Sequence, residues 1–322
     1  MRQTRVTAAG IFAALLSASL LLGHNNGVVA GKNGMPSNLT TGFPSCGSCH
    51  TSSPNPLVTV TIDGATSVAP GASVAMRLGV SDPSTNTAGG FSLQASSGGF
   101  VAGTNTRVEA TSSGAPAITH SNALSRSWSF SFTAPTTPGL VTMTAAGNAA
   151  NGDNRDRGDE WGFYGHASTV PGAFYRVFVN AAGIASTGDG CTGTDGYKPV
   201  LGMAKPAQIG TTWDSEAYNL QPGAASIGIL GLSNTAFGAI PLPFALRPIG
   251  GGDCILRASL DVLQVAIASG RGSGNGVAKI AWLLPNDPSL RGIPLYFQQM
   301  TVDAGANTWG FSFSNALTAR IQ

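Results

Sequence analysis

The sequence predicts an all-β chain: two β-sandwich domains, Ig-like or jelly-roll-like, joined by a short linker. Three observations predict it. Glycine (44) and proline (19) are abundant while only 10% of the 322 residues are charged, a composition of short strands and tight turns. Apolar and polar residues alternate with period two in runs of about six. The length suits two domains of ordinary size.

Residues 1–30 read as a signal peptide: Arg2 and Arg5 precede an apolar stretch at 6–23, and Val28-Val29-Ala30 offers small residues for cleavage. The mature chain is expected to begin at Gly31, exported to the periplasm, cell surface or medium. The apolar stretch is short for a membrane span, so no stable span is expected after cleavage, with an uncleaved anchor as the alternative. Residues 31–56 form a polar lead and a cysteine motif. In 57–180, strands are expected at 57–62, 74–80, 90–95, 126–132, 140–146 and 174–180, separated by turns such as Ala69-Pro70-Gly71 and Thr137-Pro138-Gly139. Residues 181–190, small and polar, serve as the linker. In 191–322, strands are expected at 224–232, 254–260, 262–268, 277–284, 295–302 and 309–313.

Loss of Arg2 and Arg5 takes the net charge from +2 to about zero. A neutral surface without basic clusters argues against nucleic acid, electrostatic membrane docking and a strongly charged docking patch. No Gly-x-Ser-x-Gly elbow marks a hydrolase.

Cys46-Gly47-Ser48-Cys49-His50 is the attachment pattern of c-type haem, in which two thiols add to the porphyrin vinyl groups and the adjacent imidazole ligates iron. With four Cys and four His in the chain, the pattern arises by chance on the order of once in a thousand such sequences. A redox dithiol belongs to a βαβ context that is missing here. A zinc site lacks its second ligand pair, and a simple disulfide leaves His50 unexplained. The remaining cysteines, Cys191 and Cys254, are expected to form a disulfide, closing a loop worth roughly 4 kcal/mol in the chain-entropy model.

The second axial ligand follows by elimination. His24 leaves with the signal peptide and His50 takes the first face, leaving His120, in an expected loop before the 126–132 strand, and His166. His120 is favoured; His166, a methionine (Met35, Met76, Met143, Met203 or Met300) and an open face are the alternatives. Asp153, Asp156, Asp159 and Glu160 offer oxygen ligands for calcium, although Arg155 and Arg157 oppose that charge and a solvated loop is the plainer reading. Trp161, Phe163 and Tyr164 either cover one edge of the haem or fill core.

Residues 42–164 resemble the bacterial reelin-like ("choice-of-anchor V") domain. The resemblance is carried by Cys46–His50, Gly89-Gly90-Phe91-Ser92-Leu93-Gln94-Ala95, Trp128-Ser129-Phe130-Ser131-Phe132 and Ala145-Ala146-Gly147-Asn148 with Gly158-Asp159. It implies that the histidine preceding the Trp-x-Phe strand, His120, is an axial ligand. In residues 191–322, Cys191-Thr192-Gly193-Thr194, Leu242-Pro243, Gly252-Asp253-Cys254, Leu284-Pro285-Asn286 and Ser314-Asn315-Ala316-Leu317 resemble a β-rich module of secreted planctomycete and myxobacterial proteins, which implies no activity. The expectation is a secreted monohaem c-type cytochrome carrying single electrons. It would not be an enzyme, with peroxidase-like chemistry only if the distal face is open. Its partner would be a redox protein or a neighbouring protomer, in a homo-oligomer or filament. The alternative is a surface adhesion or glycan-binding module in which haem is structural or sensory.

Overall fold

The period-two pattern of Val74, Met76, Leu78 and Val80 becomes a strand with Met76, Leu78 and Val80 turned inward and its other face to solvent, the behaviour of a sheet with one face on the core. The computed structural model describes residues 26–28, 31–32, 46–111, 114–153, 155–165 and 173–322. The signal-peptide reading falls largely outside them, as do His166 and Met35. Across the described residues the fold is all-β.

A 3₁₀ turn, Cys46–Ser48, is followed by β1 (Thr59–Gly64), β2 (Ser67–Val68), β3 (Ser73–Ser81), β4 (Gly89–Ala95), β5 (Gly99–Val101), β6 (Thr106–Ala110), β7 (Pro116–His120), β8 (Ser127–Thr133), β9 (Gly139–Ala149), β10 (Glu160–Phe163) and β11 (Tyr175–Val179). One sheet runs β1-β3-β8-β5 and the facing sheet β2-β11-β9-β4-β7-β6, with β10 also on β9. Leu78, Leu93, Ile118, Trp128, Phe132 and Met143 are among the side chains that fill the space between them.

The second half comprises β12 (Ile184–Thr187), β13 (Val200–Gly202), β14 (Thr212–Leu220), β15 (Ala225–Gly231), β16 (Ala236–Phe237), β17 (Ile240–Pro241), β18 (Phe244–Ala245), β19 (Ile255–Leu256), β20 (Val262–Ile267), β21 (Gly276–Leu283), β22 (Pro294–Val302), β23 (Phe311–Phe313) and β24 (Ala316–Arg320). Sheet β12-β24-β22-β15-β20 faces β13-β14-β21 across a core of Trp213, Trp282, Phe297 and Leu317. Cys191 and Cys254 form the expected disulfide, in a smaller cluster with Leu242, Leu246 and Phe313.

The expected linker is corrected in part: residues 184–187 are β12, paired in register with β24. Their alternation is short and built on Ala and Ser, so it left no apolar signal. The halves are docked. Phe178 of β11 packs with Val200 and Tyr218, and a Cβ at Gly202 would lie 2.0 Å from the Phe178 ring. Arg176 reaches across to donate to Asn219 Oδ1 (2.6 Å), Gly274 O (2.9 Å) and Asn275 Oδ1 (2.7 Å).

Candidate functional site

The Cys-x-x-Cys-His segment folds as one tight turn because Cys49 N–H and His50 N–H both donate to Cys46 O, at 3.1 and 3.0 Å. That turn gathers residues i, i+3 and i+4 on one side. Beneath it, Cys46 packs against Ala146, Trp161 and Phe163. The Trp161 indole N–H donates to Thr51 O at 2.7 Å, tying the segment to β10. Trp161 and Phe163 thus form the floor under the motif, while Tyr164 joins the sandwich core.

Cys46 and Cys49 carry free thiols. Burial pushes the Cys46 thiol up to about 12, with the neighbouring Cys49 adding to the rise. A redox dithiol needs the opposite, a thiol lowered toward neutrality.

His50 Nδ1 lies 3.3 Å from Asp159 Oδ2 and 3.2 Å from Asp156 O. Both neighbours only accept, so Nδ1 carries a proton, and in the neutral ring this leaves the lone pair on Nε2, the tautomer of a metal-ligating imidazole held by a carboxylate. Asp159 is buried. Burial opposes its ionisation, but hydrogen bonds from His50, Asn151 N–H and Asn148 Nδ2 outweigh that and hold its carboxyl below the ordinary value.

His120 is the last residue of β7 and is buried, not a loop residue as expected. Its neighbours Ala117, Ile118 and Thr119 are buried on both faces, so the strand shows no alternation. The His120 ring rests on Gly90, where a Cβ would stand 2.5 Å from Cε1. Its Nδ1 accepts Phe91 N–H at 3.0 Å.

Cys46, Cys49, His50 and His120 line one cavity of about 240 Å³, together with Gly90, Asn148, Arg155 and Asp159. Met76, Met143 and Met203 are buried in the cores and Met300 packs on the disulfide cluster, all away from its walls. The acids of 153–160 do not gather: among the described residues no three of them bring ligand oxygens within 4.8 Å of one another. Asp159 is engaged by His50, and Asp153 Oδ1 accepts Arg155 N–H at 2.8 Å.

The donor set fits haem attachment: two thiols and an oriented imidazole on one turn, and a buried Asn148 Oδ1 without a donor in the cavity wall. The cavity falls somewhat below the roughly 300–1,000 Å³ of small-molecule pockets. Asn26 and Val28, which precede the expected cleavage point, form part of its wall.

Sequence reading missed Asp159 as the partner of His50, 109 residues away, and treated it as one acid of a charged loop. It also missed Gly90 and Asn148, whose roles arise from adjacent strands. The chain matches no family model and no curated protein. The resemblances of 42–164 and 191–322 therefore rest on the residues quoted for them.

Proposed function

We propose that the protein is an exported monohaem c-type haem protein that passes single electrons outside the cytoplasm. One observation carries this reading: the Cys-x-x-Cys-His turn and His120 line a common cavity, with His50 Nε2 made available because Asp159 and Asp156 O hold the proton on Nδ1. Cys46 and Cys49 would hold the porphyrin by thioether bonds, each S–H adding across a vinyl group, and His50 Nε2 would ligate iron. When bound, the haem supplies a one-electron couple whose potential the surrounding protein sets. Asp159 keeps His50 oriented and basic. Arg155, in the cavity wall, offers a cation to a propionate. Trp161 and Phe163 keep water from the base of the turn. The partner is a redox protein or a neighbouring protomer, and among the described residues no helix is long and apolar enough to cross a membrane.

The test is periplasmic expression of the full chain in a host that attaches haem c. A Soret band that survives acid extraction with the polypeptide is expected, lost from the chain in Cys46→Ala/Cys49→Ala. A wild-type protein with no Soret band overturns the reading.

A further inference from the structure

We infer that two copies of this chain join edge to edge through β20, antiparallel about a two-fold axis at Val265, into one continuous sheet. The inference is independent of the haem reading: β20 belongs to the second half, and none of its residues lines the cavity of the cysteine motif.

The N–H and C=O groups along an edge strand are a template for another strand, and proteins ordinarily guard them with charge, proline or brevity. This chain guards its other sheet edges. β1 carries Asp63, β6 carries Arg107 and Glu109, and β21 carries Lys279. β2, β5, β12 and β13 are at most 4 residues long. β20 ends its sheet with 6 residues, Val-Leu-Gln-Val-Ala-Ile, and has neither charge nor proline.

The flanking hydrogen bonds fix which of its backbone groups face outward. Ala268 N–H donates to Ala224 O at 2.9 Å and Ala268 O accepts Gly223 N–H at 2.7 Å, both on the β15 side. The next residue, Ser269, exchanges its two bonds with Val277 on the opposite side, at 2.9 and 2.8 Å. Successive residues of a strand face alternate sides. Val262, Gln264 and Ala266 therefore serve β15, while Leu263, Val265 and Ile267 point their N–H and C=O away from it. Among the described residues no strand pairs with them there. Ala266 packs on the inner core. The side chains of Leu263, Val265 and Ile267 stand on the outer face, 53%, 66% and 64% exposed, opposite Ile229, Ile227 and Ala225 of β15.

Pairing about Val265 matches every outward group. Val265 meets Val265 of the second copy and Leu263 meets its Ile267, so the N–H groups of each copy find the C=O groups of the other. The apolar rows then run unbroken from one β15 to the other. Charge fixes the direction. Asp261 precedes β20 and Arg271 follows it, so an antiparallel pair brings the acidic end of each copy to the basic end of the other, where a parallel pair would set like against like. The far end of the sheet, β12, lies against β2 of the first half. With β20 as the open edge, the two-fold contact closes at a dimer and builds no filament.

Analytical ultracentrifugation of the full exported chain tests this, whether or not a Soret band is present. A reversible dimer is expected, with no larger species as concentration rises. Val265→Lys sets like charges face to face at the axis and should raise the dimer dissociation constant roughly tenfold, with circular dichroism checking that the variant is folded. Val265→Glu should do the same alone, and mixing the Lys and Glu variants should restore the dimer. If neither variant folds, hydrogen exchange of the wild type reads the same contact: the Leu263, Val265 and Ile267 amides should slow as concentration rises. A monomer at every concentration, a dimer indifferent to both variants, a mixture that stays monomeric, association past the dimer, or amides that exchange alike at all concentrations overturns the inference.

Discussion

His50 and His120 share a side chain and differ in what faces Nδ1. Around His50 the Nδ1 neighbours are a carboxylate and a carbonyl; around His120 the nearest neighbour is an amide N–H. The first ring thus meets acceptors at Nδ1 and the second meets a donor there, with no difference in residue type to announce it. Asp159→Asn tests the first half of this contrast. Outer partners of metal-bound imidazoles are worth about 10–100-fold, which for a one-electron couple is a rise of roughly 60–120 mV in reduction potential. Spectroelectrochemical titration measures it, with Asp159→Glu restoring the wild-type value; an unmoved potential would make Asp159 a purely structural residue. At Gly90 the expectation is steric. A methyl group there meets the His120 ring at 2.5 Å, and Gly90→Ala should cost about 1–3 kcal/mol in denaturant unfolding.

The site is assembled where β4, β7, β9 and β10 lie side by side, and a partly buried arginine holds that corner. Arg126, just before β8, donates Nε to Ala88 O at 2.8 Å and a terminal nitrogen to Ala150 O at 3.0 Å, while its other terminal nitrogen pairs with Asp82. Ala88 and Ala150 both line the cavity. Burial works against ionisation of Asp82, but hydrogen bonds from Arg126 and Ser84 outweigh it and hold the carboxyl below its ordinary value. A depressed carboxyl contributes stability that is present above the unfolded value of about 3.9 and is lost as pH falls through the folded one. Wild-type melting temperature should thus drop below about pH 4, and Asp82→Asn should be less stable at neutral pH with a shallower acid limb; parallel curves would remove Asp82 from the account. Strands with clean alternation were legible in the sequence: β3 with Met76, Leu78 and Val80, β8 with Trp128, Phe130 and Phe132. Strands buried on both faces were not, and β7 is the costly example, since Ala117, Ile118, Thr119 and His120 give no period. β14 was missed for a related reason: its inward side includes Ser215 and Ala217 beside Trp213. The cysteine motif was legible because its chemistry is local, whereas Asp159, Gly90 and Asn148 act only through strand pairing.

At the scale of the whole molecule, the halves behave as one docked body. Phe178 is 1% exposed, and Phe178→Ala should cost roughly 3–5 kcal/mol. Calorimetry should then resolve two transitions where the wild type shows one; a single, uniformly shifted transition would place the coupling elsewhere, in the Arg176 contacts. Sulfur divides along the same line. Cys46 and Cys49 lie in the first half and Cys191–Cys254 in the second, and the first pair leaves the ribosome well before either member of the second. A thiol pushed up to about 12 is almost never a thiolate at neutral pH, and only a thiolate attacks a disulfide. The burial of Cys46 therefore acts as chemical insulation for that one sulfur: it slows attack by Cys46 on the Cys191–Cys254 bond, a shelter the exposed Cys49 does not share.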